Sequence, residues 1–307
     1  MRLPLENQDR RPAGGFVTTT QRELPADTTM GAVDLLVRDL DAMTAYYHDG
    51  VGLAVLDARG DTVTLGNPEG ERILTLRQRA DLPAAGPRSA GLYHTAILFP
   101  DQAALAGAFL STVRHPGGAF VGSADHLFSE AFYFSDPEGN GLELYRDRPR
   151  REWVYDGAGR LRAATLHLDP NQFLARHLTE GLEPGADSTV GHVHLQVGDI
   201  PRARAFYVGL LGFDVTIDVG SALFVSAGGY HHHIAMNTWH SRGAGPRAAS
   251  LGLGQVSIEV PTRDDVAALA DRLTRAGLPF ADDGRTLAVA DPWNTRVRVS
   301  AAESQRG

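Results

Sequence analysis

Apolar and polar residues alternate in two stretches of the chain that lie 160 residues apart. GAVDLLVRDLDAMTAYYHDGVGLAV, residues 31–55, aligns without a gap with GHVHLQVGDIPRARAFYVGLLGFDV, residues 191–215. Each copy starts with an alternating run, passes through an Asp into a stretch with an aromatic face, and ends at a Gly. This order predicts a strand, a helix capped by Asp and a stop at Gly. The identical pairs include Gly31/Gly191, Val33/Val193, Leu35/Leu195, Val37/Val197, Asp39/Asp199, Tyr47/Tyr207 and Gly52/Gly212.

A second, fainter repeat completes the pattern. GLYHTAILFPD at 91–101 matches LGQVSIEVPT at 253–262, and DPEGNGLEL at 136–144 matches DPWNTRVRV at 291–299. The chain therefore divides into four modules, roughly 29–80, 88–148, 189–240 and 250–302, and each predicts the element order βαβββ. We expect an α+β fold with a polar N-terminal extension at 1–28, modules one and two at 29–150, a linker at 151–188 and modules three and four at 189–307. Apolar spacing in NQFLARHLTEGL predicts a short helix within the linker.

Composition narrows the chemistry. The 307 residues carry a net charge of −8 and the pI is about 5.8, which argues against a nucleic-acid partner. The chain has no Cys and no Lys, which excludes disulfides, thiolate nucleophiles and Schiff-base lysines. It has no apolar run long enough for a membrane span and no apolar core of a signal peptide near its start, so we expect a cytoplasmic protein.

One segment carries a specific motif. HLFSEAFYFSDPEGNGLE, residues 126–143, contains His126, Tyr133 and Glu143 around a turn made by Pro137 and Gly139. It resembles the motif of the type I extradiol ring-cleaving dioxygenases, non-haem Fe(II) enzymes of the vicinal oxygen chelate superfamily, although Ala124 departs from the usual residue at its position. The resemblance implies that paired βαβββ modules form cupped mixed β-sheets, with a metal on the concave face.

In that family, metal ligands occur at the start of the first strand and in the last strand of a module. The first-strand positions hold Ala32, His94, His192 and Gln255, and the last-strand positions hold Leu74 or Thr75, Glu143, His232 or His233, and Arg298. The resemblance thus implies a metal bound by His94, His192 and Glu143, the facial triad of Fe(II) oxygenases. It also implies that modules two and three share the metal cup, a permuted order relative to the best-known members. The metal is expected to be Fe(II), with Mn(II) as the alternative.

Three further residues match family positions with catalytic roles. The run Tyr230–Met236 resembles a His-His-x-x-Ala stretch that places an acid/base at His232. Tyr133 matches a tyrosine that hydrogen-bonds the substrate hydroxyl, and His126 matches a histidine that stabilises bound oxygen. The alternatives are solvated strand histidines, a packed strand tyrosine and a loop histidine.

Neighbouring side chains receive weaker assignments. We read the histidine run as part of a strand, with His231 and His233 facing away from His232. His194 is expected to have a structural role on the sheet face opposite to His192. The segment at 239–242 is either a wall of the pocket or a surface turn.

The resemblance implies insertion of O2 into a catechol-type ring next to the diol, giving a ring-opened semialdehyde. The expected partners are a catechol-type substrate and O2, and a homo-oligomer is expected. Two alternatives share the fold: a glyoxalase-like metal lyase or isomerase, which would prefer a second carboxylate near His232, and a non-catalytic small-molecule-binding protein. The ring substituents of the substrate and the position of cleavage stay open.

Overall fold

The computed structural model describes residues 23–179, 181 and 185–302. The first 22 residues of the predicted N-terminal extension lie outside this part. The strands are β1 (Thr29–Met30), β2 (Val33–Val37), β3 (Ala54–Arg59), β4 (Thr62–Gly66), β5 (Arg72–Gln78), β6 (Gly91–Leu98), β7 (Ala119–Asp125), β8 (Ser129–Ser135), β9 (Gly141–Asp147), β10 (Thr189–Gln196), β11 (Asp214–Asp218), β12 (Ala222–Ser226), β13 (Ile234–Asn237), β14 (Gly252–Val260), β15 (Phe280–Asp282), β16 (Thr286–Ala290) and β17 (Arg296–Ala301).

Helices are few and short. They are α1 (Leu40–Ala45), α2 (Gln102–Arg114), α3 (Pro170–His177), α4 (Ile200–Arg204) and α5 (Arg263–Arg275), with a 3₁₀ turn at Arg150–Glu152. α1 and α4 each continue into a π-helical turn, at Tyr46–Gly50 and Ala205–Leu210. No helix in the described part of the chain is long and apolar enough to cross a membrane.

The strands form two sheets that pair the modules in a crossed order. Modules two and three form an eight-stranded sheet, β11-β12-β13-β10-β6-β9-β8-β7, which we call the 2–3 sheet. Modules one and four form the 1–4 sheet, β15-β16-β17-β14-β2-β5-β4-β3, with β1 paired to β14. The α+β fold and the predicted sharing of one sheet by modules two and three are thereby confirmed. The exact boundaries at 28, 150 and 188 stay a prediction, and each sheet takes one module from either side of the linker.

Within each module the first strand pairs in parallel with the last, as β6 does with β9 and β10 with β13. The first strands of two partner modules, β6 and β10, then pair antiparallel at the middle of the 2–3 sheet. Because both are central strands, side chains on their concave face are shielded by neighbours on each side. The ends of these two strands are thus suited to hold a buried polar site.

The predicted Asp caps and Gly stops of the helices are present in the structure. The side chain of Asp39 accepts a hydrogen bond from Ala42 N at the start of α1, and Asp199 accepts one from Arg202 N at α4. Gly52 and Gly212 follow the two helices with φ of 92° each, a backbone conformation that side chains with a Cβ rarely adopt. The predicted linker helix also exists, as α3, and its Phe173 ring packs on Phe132 of β8.

A tyrosine–aspartate hydrogen bond joins consecutive modules and recurs in both halves. Tyr47 donates to Asp136 Oδ2 at 2.9 Å, linking module one to module two. Tyr207 donates to Asp291 Oδ2 at 3.0 Å, linking module three to module four. All four residues are buried. Modules that are neighbours in sequence are therefore connected by side chains, while the sheets connect the other pairs.

Candidate metal centre

Three adjacent strands of the 2–3 sheet place the predicted ligands side by side. His94 is on β6, Glu143 on β9 and His192 on β10. Ala96 of β6 lies opposite Glu143 on one side and opposite His192 on the other. This register brings the carboxylate of one strand and the imidazoles of two others to the same point of the sheet, although the residues are far apart in sequence.

The three side chains converge closely. Glu143 Oε2 lies 2.9 Å from His94 Nε2 and 3.1 Å from His192 Nε2. One potential ligand atom from each residue lies within 4.8 Å of the other two, and all three residues are buried. Among the described residues, this is the one such group of three that could hold a metal ion. The corresponding positions of modules one and four form no such group there.

The electrostatics set these groups in the protonation states that metal ligands need. Burial alone raises the pKa of Glu143, but the neighbouring His192 and His94 outweigh it and hold that pKa well below its usual range. Burial lowers the pKa of His192 to about 4, against the opposing effect of Glu143. An ionised carboxylate beside a neutral imidazole is the state in which both groups bind a cation.

The structure offers a direct test of whether these residues fit a metal. His94 Nε2 is fully buried and makes no geometrically acceptable hydrogen bond to any described residue, although Glu143 Oε2 is only 2.9 Å away. A buried nitrogen without a hydrogen-bond partner is costly unless another ligand satisfies it. Two imidazole nitrogens and one carboxylate oxygen are the donors of the non-haem Fe(II) triad. The residues therefore fit the predicted cation.

A cavity of about 790 Å³ opens beside the three predicted ligands. It is walled by the 2–3 sheet and by residues 163–165 of the linker, so the linker forms part of the site. All three predicted catalytic residues, His126, Tyr133 and His232, line the cavity together with the ligands. Further lining residues are Leu92, Tyr93, Val121, Gly122, Ser123, Ala124, Phe128, Ser129, Phe134, Ser135, Gly139, Gly141, Leu142, His194, Gln196, Ile217, Val219, Phe224 and Trp239.

Tyr133 and His126 form one hydrogen-bonded unit. His126 Nδ1 lies 2.7 Å from the carbonyl oxygen of Ala164, and its Nε2 lies 2.8 Å from the Tyr133 hydroxyl. Since a carbonyl only accepts, Nδ1 carries the proton, and in the neutral ring Nε2 accepts from Tyr133. Burial and the charge of Glu143 hold the pKa of Tyr133 well above its usual range. The tyrosine is thus a neutral phenol that donates to His126 and whose oxygen can accept a hydrogen bond from a bound molecule.

His232 belongs to a second chain of hydrogen bonds. His231 Nε2 lies 2.8 Å from Asp147 Oδ1, and His231 Nδ1 lies 2.8 Å from His232 Nδ1. The His232 ring stands 4.1 Å from that of His192, centroid to centroid. Its Nε2 makes no hydrogen bond to another described residue, and His232 lines the cavity. Asp147 was not anticipated from the sequence, where it lies beyond the end of the recognised motif.

The histidine run does not lie within a strand as expected, but the predicted division holds, because His232 lines the cavity and His231 and His233 do not. Residues 231–233 precede β13, which begins at Ile234, so they are not constrained by the strand period. His231 is stacked on Phe128 and hydrogen-bonded to His232. His233 accepts a hydrogen bond from Ala227 N at 3.2 Å through Nδ1 and lies outside the cavity lining.

His194 also lies where we did not expect it. Residues two apart on a strand share a face, so His194 lies on the same face as His192 and lines the cavity. The prediction that His194 lies on the face opposite to His192 is therefore wrong. The His194 ring packs at 4.9 Å on that of His94 and at 5.5 Å on that of Trp239. Asn237 Nδ2 donates to its Nε2 at 3.0 Å, so this nitrogen is engaged and the ring positions its neighbours. Of the segment at 239–242, Trp239 forms part of the wall.

Two paired-module sheets, one with a buried two-histidine, one-carboxylate cluster that could hold a metal ion, define a protein of the vicinal oxygen chelate fold. Comparison with known families agrees. Residues 29–144 and 189–297 match the Glyoxalase/Bleomycin resistance protein/Dioxygenase superfamily, and the chain belongs to that superfamily. The two matched ranges cover nearly all of the four modules and leave out the linker at 151–188.

Relatives extend this result. The chain is 36% identical over 272 residues to Catechol-2,3-dioxygenase of Bacillus subtilis (strain 168), covering 87% of this chain and 94% of the relative. Among solved structures, it resembles a "putative dioxygenase" from Bacillus subtilis with a TM-score of 0.61 and 12% identity, covering 91% of this chain and 86% of that one. Glyoxalase I from Zea mays gives a TM-score of 0.53 at 18% identity, covering 89% of this chain and 92% of that one. The two structures show the shared fold, and the Bacillus relative confirms the resemblance to catechol dioxygenases.

Proposed function

We propose that the protein is an Fe(II)-dependent extradiol dioxygenase, which inserts O2 into a catechol-type ring beside the diol and yields a ring-opened semialdehyde. The observation that carries this proposal is the convergence of His94, His192 and Glu143 in a cavity that also contains a histidine base and a phenol. The similarity over most of the chain to a Catechol-2,3-dioxygenase supports the same reaction class.

His94, His192 and Glu143 would hold the ferrous ion, with Mn(II) as the alternative metal. When bound, the metal brings the diol and O2 together and couples their redox chemistry. With three ligands from the protein, such a metal would keep positions open for both. The protein itself contributes binding, orientation and proton transfer, which can be assigned to particular atoms.

His232 is the proton acceptor and donor in this proposal. With His231 neutral, the carboxylate of Asp147 requires the proton of His231 on Nε2, so His231 Nδ1 accepts and His232 Nδ1 donates. His232 Nε2 then presents a lone pair to the cavity, where a diol hydroxyl loses a proton on binding. Burial, together with the neighbouring histidines, holds the pKa of His232 well below its usual value, so the free base is available at neutral pH. The same nitrogen can return the proton as the ring opens.

Tyr133 and His126 orient the substrate. Tyr133 directs its own proton to His126 Nε2, which leaves its oxygen as an acceptor for a substrate hydroxyl. His126 is anchored by the Ala164 carbonyl of the linker, so the position of the phenol is fixed from two sides. This arrangement favours one orientation of the diol in the cavity.

The glyoxalase-like alternative has no comparable support from the site. It would prefer a second carboxylate near His232, and the described residues lining the cavity contain one acidic side chain, Glu143. The non-catalytic alternative would leave a complete ligand set and a neutral base without a purpose. We therefore propose no second function.

The test is anaerobic loading with Fe(II), followed by measurement of O2 uptake and products on catechol. We expect one O2 consumed per diol, a ring-opened semialdehyde and no hydrogen peroxide. Glu143→Gln, assayed in parallel, should abolish the uptake. Intact catechol after addition of O2 to the metal-loaded enzyme would contradict the proposal, as would isomerisation of a hemithioacetal without O2.

A further inference from the structure

The cavity beside the ligands contains no positively charged side chain among the described residues. Its lining has no Arg, and the chain has no Lys at all. The one charged lining residue is Glu143, a ligand. A carboxylate on the substrate ring would therefore lose its hydration without gaining an ionic partner, which is costly. The site thus disfavours catechols that carry an acidic substituent.

The mouth of the same cavity is apolar and exposed. Val121 of β7 is 69% exposed, Val219 after β11 is 61% exposed and Trp239 is 48% exposed, and all three line the cavity. β7 and β11 are the two edge strands of the 2–3 sheet, so apolar residues at or next to both edges line the same cavity. Most large apolar side chains of the protein are buried, and exposed ones gathered around a cavity mark a binding site.

Trp239 is held in place rather than free at the surface. Its Nε1 donates to Ser221 Oγ at 3.3 Å, and its ring lies 5.4 Å from Tyr93 and 5.5 Å from His194, centroid to centroid. His194 in turn packs on the ligand His94. A continuous aromatic wall thus runs from the metal ligands to the rim. It offers a second binding area beyond the diol itself.

The size of the cavity agrees with this extension. Its volume of about 790 Å³ lies in the upper part of the range of about 300–1,000 Å³ for pockets that hold drug-sized ligands. A single unsubstituted ring would leave much of the apolar wall in contact with water. A substituent of about ring size would cover that wall.

We propose that the preferred substrates are catechols that carry a neutral, apolar substituent of about ring size, which packs against Trp239, Val121 and Val219. This inference rests on the proposed diol-cleaving function and defines its substrate class. Carboxylated catechols and unsubstituted catechol are then poorer substrates, the first through lack of a cationic partner and the second through lack of contact with the rim.

The experiment compares a phenyl-substituted catechol, catechol and a carboxylate-substituted catechol on the Fe(II) enzyme. Two quantities are measured for each diol: kcat/KM by O2 uptake and, without O2, the Kd by calorimetry. Burial of the added ring should favour the phenyl-substituted diol over catechol by about ten- to a hundredfold in both. The carboxylated diol should rank below catechol by about tenfold or more. Equal or reversed rankings in Kd would overturn the inference.

Variants at the exposed rim locate the preference. Trp239→Ala should weaken binding of the phenyl-substituted diol more than that of catechol, so that the phenyl-to-catechol ratio of Kd rises by about tenfold. Val219→Arg, which adds a cation, should improve the carboxylated diol relative to the phenyl-substituted one by roughly three- to tenfold. Val55→Arg is the matched control, because Val55 is also exposed, at 43%, but belongs to β3 of the 1–4 sheet. Ratios that do not change in the rim variants, or that change equally in Val55→Arg, would contradict the assignment.

The binding measurement separates this inference from the proposed function. If the phenyl-substituted diol binds most tightly but no diol is opened by O2, the reaction is wrong and the ligand class stands. If catechols are opened but the carboxylated one binds and reacts best, the reaction stands and the ligand class is wrong.

Discussion

His231 Nδ1 and His232 Nδ1 lie 2.8 Å apart, so one of the two nitrogens carries the proton between them and the other accepts it. The Asp147 carboxylate, 2.8 Å from His231 Nε2, decides which. In a neutral His231 it holds the proton on Nε2, and the shared proton then belongs to His232. The lone pair of His232 is thereby directed into the cavity. A remote carboxylate fixes the tautomer of the proposed base through an intervening imidazole, in the manner of the aspartate of a catalytic triad.

The first prediction concerns His232 as a proton-transfer residue rather than a metal ligand. His232→Phe should keep its iron near the wild-type level, because the three ligands remain, while turnover falls by roughly 10²–10⁴-fold. Iron is measured by atomic emission and turnover by O2 uptake. Loss of iron in this variant would show that His232 binds the metal and that its assigned role is wrong.

A further prediction concerns His231, the neighbour of the proposed base His232. Its replacement by Phe removes the acceptor of the His232 Nδ1 proton, so the ring is free to adopt the other tautomer. We expect kcat to fall by about 10–100-fold, less than in His232→Phe, with little change in KM for the diol. His233→Phe provides the comparison, since His233 Nδ1 accepts from Ala227 N instead of bonding His232. A larger loss in His233→Phe than in His231→Phe would contradict this order.

Another prediction concerns the metal. Glu143→Gln keeps the size of the side chain but removes the negative charge, so affinity for Fe(II) should fall by at least about 100-fold. Binding is measured by anaerobic titration. Glu259→Gln, an exposed change on β14 of the other sheet, should leave affinity unaltered. Wild-type metal content in Glu143→Gln would place the ion elsewhere.

The pairing of Tyr133 with His126 predicts non-additive effects. Each single variant, Tyr133→Phe and His126→Ala, should lower kcat/KM, because each disrupts the same hydrogen bond of 2.8 Å. The double variant should be less damaging than the sum of the two, by about 0.5–3 kcal/mol. A double-mutant cycle on kcat/KM measures this coupling. Strictly additive losses would mean that the two residues act separately, as the sequence alone suggested.

Much of the fold could be predicted because the repeat is visible in the sequence. The Asp caps, the Gly stops and the alternating first strands are local signals, and each module reuses them. The pairing of modules two and three followed from chemistry rather than from periodicity, since only those modules place His and Glu at ligand positions. The boundaries of the linker gave no comparable signal, and its contribution to the cavity wall through Ala164 was not foreseen.

The residues of the candidate site could be predicted where the recognised motif includes them, but not outside that motif. Asp147 lies four residues after Glu143 on the same strand, but nothing local indicates that it bonds a histidine 84 residues away. The hydrogen bond between His231 and His232 was not predicted, because the run precedes β13 and does not follow the strand period. Contacts of this kind depend on how distant strands register in the sheet, which the sequence does not state.

The tyrosine–aspartate bonds between modules predict a stability effect. Tyr207→Phe leaves Asp291 Oδ2 buried without the hydroxyl that donates to it at 3.0 Å, which should lower the free energy of unfolding by about 1–3 kcal/mol. Tyr47→Phe should have a similar effect through Asp136. Urea unfolding provides the measurement. Tyr155→Phe is the control, because Tyr155 is 52% exposed, and it should change the free energy of unfolding by no more than about 0.5 kcal/mol. If Tyr155→Phe destabilises the protein as much as Tyr207→Phe and Tyr47→Phe do, the losses are not caused by the tyrosine–aspartate hydrogen bonds.

The last prediction follows from the pKa of Asp291. Burial raises it above the ordinary value of 3.8, although hydrogen bonds from Thr295, Trp293 and Tyr207 oppose this. In the interval above 3.8 the folded protein therefore binds more protons at this carboxyl than the unfolded chain does, and stability falls as the pH rises through the folded pKa. In Asp291→Asn the amide oxygen can still accept from the backbone N–H groups of Trp293 and Thr295, but the residue does not titrate. The stability of the wild type relative to this variant should thus be greatest near pH 4 and decrease toward neutral pH. Urea unfolding of both proteins from pH 4 to 7 checks the sign, and a difference that stays constant or grows with pH would show that the folded pKa of Asp291 is not raised.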